Sequence, residues 1–227
     1  MSNYYQGTPK HLIAVDCVIF GYENDQLKIL LFPRRVEPAK GEWSLLGGFV
    51  DENESTDDAA TRVLQLTTGL TNIFLEQVKA FSDPLRDPGA RVISNVYFAL
   101  IRIDRQDDSI IQAHGAKWWP ITQFPPLIFD HNQMVAVSLS KLQMKAGLNL
   151  IGHELLPDFF TLRMLRKLYE AIFQRPLDPG NFRKKALSLN VLQKSANKDK
   201  THSKKGSYFY HFEKKEKQDN GNFIFKL

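Results

Sequence analysis

The chain has 227 residues, of which 43% are hydrophobic and 24% charged, a composition typical of a globular protein with one or two domains. It contains no apolar run of the roughly 20 residues that a membrane-spanning helix needs, and the polar residues 1–10 lack the apolar core of a signal peptide. A single cysteine, Cys17, excludes an intrachain disulfide and a cysteine-rich zinc site. We therefore expect a cytoplasmic protein that has no membrane partner.

Charge is distributed unevenly between the two parts of the chain. Residues 1–149 carry 14 Lys and Arg against 17 Asp and Glu, a net charge of −3, whereas residues 150–227 carry 16 against 8, a net charge of +8. This segregation predicts two domains, 1–150 and 151–227, the second of which binds a polyanion such as nucleic acid. A basic, poorly ordered tail is the alternative interpretation.

The first part of the chain alternates between strand and helix patterns. Residues 55–68 begin with capping residues, place Ala59, Val63 and Leu66 at helical spacing, and stop at Gly69. A second helix is predicted over residues 130–146, with Asp130 as N-cap and Gly147 as stop. Strands are predicted at residues 11–20, 27–32, 72–80, 91–103 and 117–121, with a turn at 21–26 between the first two. A mixed sheet with a helix on each face would bury both apolar helix faces.

The second part follows a different order, two helices and then a basic hairpin. Helices are predicted over residues 161–173 and 181–192. A Lys-rich stretch, 194–207, is predicted as a hairpin tip, and residues 208–212 and 222–227 after it are strand-like. This is the order of a winged helix-turn-helix, in which the second helix enters the DNA groove. The predicted DNA-binding residues are Asn181, Arg183, Lys184 and Lys185 on that helix, and Lys198, Lys200, Lys204 and Lys205 on the wing.

A short motif lies between residues 48 and 70. Gly48 is followed after five residues by Glu54 and after seven more by Arg62, and the motif closes with Leu64, Gly69 and Leu70. These six positions resemble the Nudix box, whose family pattern is Gly, five residues, Glu, seven residues, then a helix with Arg and three Glu, closed by Gly and an apolar residue. The resemblance extends upstream over residues 40–48 and implies an α+β fold, a Nudix-like α/β/α sandwich with a mixed sheet, for about the first 150 residues.

The metal-binding part of the box is missing. In a working box three glutamates on one helix face hold a divalent cation on a diphosphate, since hard cations prefer oxygen ligands. Those positions are Val63, Leu66 and Thr67 here. We expect no metal, no cofactor and no catalysis, with an active diphosphohydrolase as the rival hypothesis. Structural roles are favoured for the remaining box residues. The glycines are expected to serve the loop turn, and Glu54 is expected to tie the loop to the helix.

Three segments of the second part are similar to the winged-helix domain found behind a Nudix-like domain in a family of bacterial transcription regulators. They are residues 160–162, 168–172 and 175–185. The resemblance implies a homodimer on a pseudo-palindromic operator, with the Nudix-like domain sensing a small effector. One branch senses L-arabinose and controls pentose utilisation, and another senses ADP-ribose and controls NAD metabolism. The degraded box favours the L-arabinose branch, with ADP-ribose as the alternative.

Effector-binding residues are predicted from the regions that line a Nudix cleft. They are Lys40, Glu42 and Trp43 before the box and Asp83, Arg86, Asp87, Arg91 and Asn95 on the loop and strand opposite. Each has an alternative as an exposed charge, a loop-capping residue or, for Trp43, a core side chain. The net charge of −3 favours a neutral sugar over a doubly anionic nucleotide, although Arg34, Arg35 and Lys40 form a local patch that would oppose this.

Overall fold

A computed structural model of the chain describes residues 7–71, 73–105, 108–200 and 206–213. No helix in this part of the chain is long and apolar enough to cross a membrane. The strands are β1 Leu12–Glu23, β2 Gln26–Pro33, β3 Trp43–Ser44, β4 Leu46–Phe49, β5 Phe74–Phe81, β6 Val92–Arg102, β7 Lys117–Pro120, β8 Phe160–Thr161, β9 Leu192–Asp199 and β10 Ser207–Phe212. The helices are α1 Thr56–Thr68, α2 Asp108–Ala113, α3 His131–Leu148, α4 Leu162–Phe173 and α5 Pro179–Ser188.

The first sheet is mixed, as predicted. Strand β1 is central, pairing parallel with β6 and antiparallel with β2 and β4, while β5 lies outside β6 and both β3 and β7 pair with β2. The turn between β1 and β2 is shorter than the predicted 21–26, because Asn24 and Asp25 both adopt positive φ (52° and 59°) and close a two-residue hairpin. The two strands therefore extend through most of the predicted turn.

A helix covers each face of this sheet. On one face α1 buries Ala59, Ala60, Val63 and Leu64. Its predicted caps are confirmed, since the Ser55 side chain accepts from Asp58 N in a capping box and Gly69 adopts φ 69°. The predicted burial of Leu66 is wrong, because that side chain is 68% exposed.

The opposite face is covered by α3, which differs from its prediction at the C-terminus. The helix passes through Gly147 and ends at Leu148, with Asn149 as C-cap. A Cβ at Gly147 would meet nothing within 4 Å in the described part of the chain, so this glycine is not required by packing. Burial of Met134, Val135 and Leu142 holds the helix on the sheet beyond the predicted stop.

The second part forms a three-stranded sheet, β8-β10-β9, with α4 and α5. Helix α5 begins earlier than predicted, because Asp178 is its N-cap and accepts from Asn181 N at 2.8 Å. It also ends earlier, at Ser188, and Leu192 starts β9. The Lys-rich stretch predicted as a hairpin tip is strand up to Asp199, and the predicted strand at 222–227 lies outside the described residues.

One hydrophobic core connects the two parts. It runs from Phe20 and Phe98 on the sheet, through Leu142 of α3, to Leu168 of α4 and Phe182 of α5. Polar contacts reinforce the junction: Gln143 Nε2 donates to the carbonyl of Ile172 at 2.9 Å. The buried Tyr169 hydroxyl accepts from Ile151 N at 2.8 Å and donates to the carbonyl of Asn149 at 3.1 Å. Helix α3 is therefore packed between the first sheet and the winged helix.

Candidate functional site

A cavity of about 430 Å³ lies between β1, β4 and the start of α3, a volume in the usual range for small-molecule sites. Its wall combines aromatic side chains with charged and imidazole groups. The aromatic residues are Phe32, Phe49 and Phe129, and the titratable ones are Asp16, Arg34, Arg35, Arg86, Asp87, His114 and His131. The cavity therefore offers both stacking surfaces and positive charge.

A buried polar network forms the floor of the cavity. Arg86 donates from Nε to Asp130 Oδ2 at 2.9 Å and from Nη2 to Asp130 Oδ1 at 2.8 Å. Its Nη2 also lies 3.7 Å from Asp16 Oδ2, which accepts from Ser94 Oγ at 2.6 Å. The Arg86 side chain is only 3% exposed, so two carboxylates compensate one buried guanidinium.

His131, the first residue of α3, adjoins this network. Its Nδ1 accepts from Leu45 N at 3.1 Å, and its Nε2 lies 3.8 Å from Asp16 Oδ1. Burial lowers the pKa of His131 below its ordinary value, although Asp16 acts in the opposite direction. The neutral tautomer with hydrogen on Nε2 fits these two contacts and ties the junction of β3 and β4 to the start of α3.

Two further arginines, Arg34 and Arg35, line the cavity. Arg34 donates from Nε to the carbonyl of Pro38 at 2.6 Å, and its guanidinium lies 5.3 Å from the ring centre of Phe129. The exposed Arg35 donates from Nη2 to the carbonyl of Ala113 at 3.0 Å. Unlike Arg86, neither forms an ion pair with a described carboxylate, and their charge is available to an anionic ligand.

Most of the predicted effector residues are not in this cavity. Of the eight, Arg86 and Asp87 line it. Among the others, Lys40 and Glu42 are exposed in the β2–β3 loop, and Trp43 packs edge-to-face on Trp119 at 5.7 Å. Trp43 therefore has the packing role that was the alternative to effector binding.

The remaining three predicted residues serve the loop and sheet around β5 and β6. Asp83 accepts from Leu85 N at 2.8 Å, and Arg91 donates to the carbonyls of Ser82 and Asp83. The amide of Asn95 accepts from Gln77 Nε2 at 3.4 Å. Asp83 and Arg91 thus fix the backbone of the loop after β5, Asn95 joins β6 to β5, and none of the three lines the cavity.

The surviving box residues hold the loop before α1. Arg62 donates from Nε to Glu54 Oε2 at 2.9 Å and from Nη2 to Glu54 Oε1 at 2.5 Å. Glu54 Oε1 also accepts from Asp51 N at 2.9 Å, and Arg62 reaches the carbonyl of Phe49. The favoured interpretation of Glu54, a tie between loop and helix, is confirmed.

The residues in place of the three glutamates do not fit a divalent cation. Val63 is buried, Leu66 is exposed, and the Thr67 hydroxyl donates to the carbonyl of Val63 at 2.8 Å. Glu54 is already paired with Arg62. Among the described residues, no group of three or more His, Cys, Asp or Glu is arranged to hold a metal.

The two box glycines are needed for close packing, not for the predicted loop turn. Both lie in β4, opposite Asp16 and Val15 of β1. A Cβ at Gly47 would lie 2.4 Å from Asp16 Oδ1, and a Cβ at Gly48 would lie 2.9 Å from Val63 Cγ2. Glycine therefore brings β4 close to the polar network and to α1.

The Glu54–Arg62 pair predicts a pH-dependent stability. Hydrogen bonds from Arg62 and from Asp51 N lower the pKa of Glu54 to about 2 from 4.5. Its contribution is complete above pH 4.5, where the unfolded glutamate is ionised, and is lost as the pH falls towards 2. We expect Glu54→Gln to lower the melting temperature at pH 7 and the difference from wild type to shrink below pH 4.5. The control is Glu52→Gln, since Glu52 is exposed and its replacement should not change the melting temperature at pH 7. If the difference in melting temperature between wild type and Glu54→Gln grows on acidification, the stabilising role of the Glu54–Arg62 pair is contradicted.

The second part presents a cationic helix surface. Arg183 and Lys184 of α5 are exposed, while Lys185 is half-buried. On the inner side of α5, Phe182 is 2% exposed and packs edge-on against Tyr169 at 5.3 Å. The helix is thus docked through one face and directs two cations away from the domain.

The turn before α5 is fixed by a partly buried carboxylate. Glu170 Oε1 accepts from Leu177 N at 3.0 Å and from Arg166 Nη1, whose guanidinium also reaches the carbonyl of Leu177. Lys167 lies 3.0 Å from the other carboxylate oxygen. These contacts hold the turn before α5 against α4.

The wing carries further cations. Lys194 and Lys198 both stand over the Tyr208 ring, with Nζ 3.5 Å and 4.4 Å from its centre. Lys200 is exposed next to them, and the sequence did not single out Lys194 or Tyr208. The predicted Lys204 and Lys205 lie outside the described residues.

Two family patterns match the chain. Residues 10–137 match the NUDIX domain, and residues 152–212 match the NrtR DNA-binding winged helix domain. Together with the cationic α5 they define a class, a DNA-binding transcription regulator with a Nudix-like domain.

Known proteins narrow the class to a family. The chain is 31% identical, over 208 residues covering 90% of it and 83% of the relative, to the ADPR responsive transcriptional repressor NtrR of Acinetobacter baylyi. It is similar to Shewanella oneidensis NrtR complexed with a 27mer DNA (TM-score 0.81, 29% identity, 88% of this chain and 93% of that one). It is also similar to the NUDIX domain of that protein complexed with ADP ribose (TM-score 0.55, 32% identity, 62% and 95%). The chain belongs to the NrtR family of Nudix-related transcription regulators.

Proposed function

We propose that this protein is a repressor that binds operator DNA through its winged helix and releases the DNA when ADP-ribose fills the cavity. The observation that carries the proposal is the cavity itself, whose wall combines Arg34, Arg35 and Arg86 with three phenylalanines. Guanidinium groups suit a diphosphate, and aromatic faces suit a nucleobase.

The composition of the cavity wall favours this ligand over a neutral sugar. Sugar hydroxyls are usually held by carboxylates and amides, and the described lining residues include no Asn or Gln. The relatives named above bind or respond to ADP-ribose. The prediction of L-arabinose and pentose genes, which depended on the degraded box and the net charge, has no such support. Local charge in the cavity outweighs the domain's net charge of −3.

The proposal includes binding without hydrolysis. The α1 positions that carry metal-binding glutamates in an active box are Val63, Leu66 and Thr67, and the remaining Glu54 is held by Arg62. The experiment is incubation with ADP-ribose and Mg²⁺ followed by chromatography for AMP. We expect no turnover above a no-protein control. Turnover that Glu54→Gln abolishes would favour the hydrolase hypothesis.

Calorimetry tests the ligand directly. We expect saturable binding of ADP-ribose and no heat from L-arabinose. Arg35→Gln should weaken ADP-ribose binding about tenfold or more, because a hydrogen bond to a charged group contributes on the order of 1.5 kcal/mol. The matched control is Lys79→Gln, an exposed cation on β5 outside the cavity wall. Equal affinities for both variants would contradict the assignment of the cavity.

The predicted homodimer and pseudo-palindromic operator form part of the same proposal. Helix-turn-helix proteins commonly use two-fold symmetry to place two recognition helices about one DNA turn apart. Light scattering on the protein with and without DNA gives the stoichiometry. We expect two chains for each duplex.

A further inference from the structure

Helix α3 begins without the side-chain cap that α1, α4 and α5 have. Ser55, Thr161 and Asp178 cap α1, α4 and α5 with side-chain hydrogen bonds to the first turn. Asp130 holds the same position in α3, yet its carboxylate makes no capping bond to the described first turn of the helix. Its φ of −97° and ψ of 13° also lie outside the extended region usual for an N-cap.

Arg86 holds the Asp130 carboxylate away from the helix. The two hydrogen bonds, 2.9 and 2.8 Å, occupy both carboxylate oxygens. Arg86 comes from the segment between β5 and β6, so the pair joins that segment to the start of α3. Asp16, at 3.7 Å, would still compensate the Arg86 charge if Asp130 moved away.

The same arginine lines the ligand cavity. Arg86, Phe129 and His131 all contribute to the cavity wall, so a ligand in the cavity meets the residues on either side of Asp130. Phe129 has φ 49°, a strained conformation for a bulky residue, immediately before Asp130. The backbone that enters α3 is thus both strained and part of the site.

We propose that Arg86 binds a phosphate of the effector, and that the phosphate displaces Asp130, whose carboxylate then caps α3. The inference rests on the proposed function, in which the cavity takes ADP-ribose. A phosphate offers Arg86 the same paired oxygens as Asp130, and its negative charge repels the carboxylate that it replaces. Asp130 then turns to the N–H groups of the first helical turn, which attract negative charge.

Helix α3 carries the change to the DNA-binding part. It shares the hydrophobic core with α4, and Gln143 of α3 donates to Ile172 of α4 at 2.9 Å. A rearranged first turn therefore shifts the helix on which α4, and through it α5, is packed. Arg86 is a binding residue in this scheme, and Asp130 is a positioning residue.

The test uses opposite expectations for the two partners of one ion pair. Asp130→Ser can cap α3 but cannot hold Arg86, so it removes the competitor of the phosphate. By calorimetry we expect it to bind ADP-ribose about tenfold more tightly and, in anisotropy without effector, to bind DNA about tenfold more weakly. Arg86→Lys keeps the charge but loses the paired geometry and should bind ADP-ribose at least tenfold more weakly. If the Arg86–Asp130 pair were purely structural, both variants would change the affinity for ADP-ribose in the same direction.

The matched control removes an ion pair at the other end of α3. Glu76 Oε2 lies 2.7 Å from Lys145 Nζ in the last turn of the helix, so Glu76→Gln should leave both affinities within about twofold of wild type. If wild type binds ADP-ribose but Asp130→Ser binds it no more tightly, the inference is wrong and the proposed function stands. If Asp130→Ser does not fold, weakened binding by folded Arg86→Lys supports the phosphate contact, and unchanged binding overturns it. If wild type fails to bind ADP-ribose, both proposals fail.

Discussion

Replacement of Phe182 by alanine is expected to lower the free energy of unfolding by about 3 to 5 kcal/mol and to abolish specific DNA binding. Phe182 is 2% exposed and packs edge-on against Tyr169, and α5 has only one other buried residue, Ala186. The variant leaves a cavity under the helix that presents Arg183 and Lys184. Without this anchor the cations lose their fixed orientation.

The effect of Phe182→Ala should extend beyond the winged helix, because one hydrophobic core joins the two parts of the chain. Phe182 belongs to the same hydrophobic cluster as Met134 and Leu142 of α3, so its loss should also destabilise the first part of the chain. Urea denaturation followed by circular dichroism measures the change. The control is Phe159→Ala, since Phe159 is 55% exposed in the same part of the chain and should cost less than about 1 kcal/mol. Equal losses for the two phenylalanines would contradict the role of Phe182 as anchor.

Removal of two cations from α5 should strongly weaken DNA binding while leaving the free energy of unfolding unchanged. Arg183 and Lys184 are exposed and form no ion pair with described residues, so their charge is available to phosphates. The double variant Arg183→Ala/Lys184→Ala should weaken DNA binding about 30-fold, on the order of 2 kcal/mol. The magnitude of the negative slope of log K against log salt should decrease by nearly two, because each phosphate that the protein no longer neutralises removes about 0.9. DNA binding should therefore depend less on salt.

Fluorescence anisotropy over a salt series measures both quantities. The matched control is Lys79→Ala/Lys117→Ala, which removes two exposed cations from the first part of the chain. We expect its salt slope to equal that of wild type. A slope that falls equally in both double variants would mean that binding responds to net charge alone, and α5 would not be the recognition helix.

The fold was accessible from the sequence because local signals agreed with the final packing. The capping box at Ser55 and the glycine at 69 delimit α1, and the apolar spacing of α4 continues into the core. The start of α5 differs from its prediction because Asp178 followed by Pro179 is a stronger start signal than Asn181. The predicted stop at Gly147 failed because tertiary packing outweighs the low helix propensity of glycine.

The candidate site was less accessible, because it is assembled from segments distant in sequence. Asp16, Arg86 and Asp130 come from β1, the β5–β6 segment and the start of α3, and only their folded proximity makes a network. One signal was present in the sequence. Asp16 interrupts an otherwise apolar strand, and a buried carboxylate requires a partner. Arg34 and Arg35 were visible as a patch, but their position beside Phe129 depends on the fold.

The most direct test of the proposed function is release of DNA by ADP-ribose. Labelled duplexes from upstream of the protein's own gene and of neighbouring genes are bound by the purified protein at a fixed salt concentration, then titrated with ADP-ribose and, in parallel, L-arabinose. We predict sequence-specific complexes that ADP-ribose dissociates with a saturable midpoint and that L-arabinose leaves intact. A complex that dissociates with L-arabinose and not with ADP-ribose would contradict the proposed function.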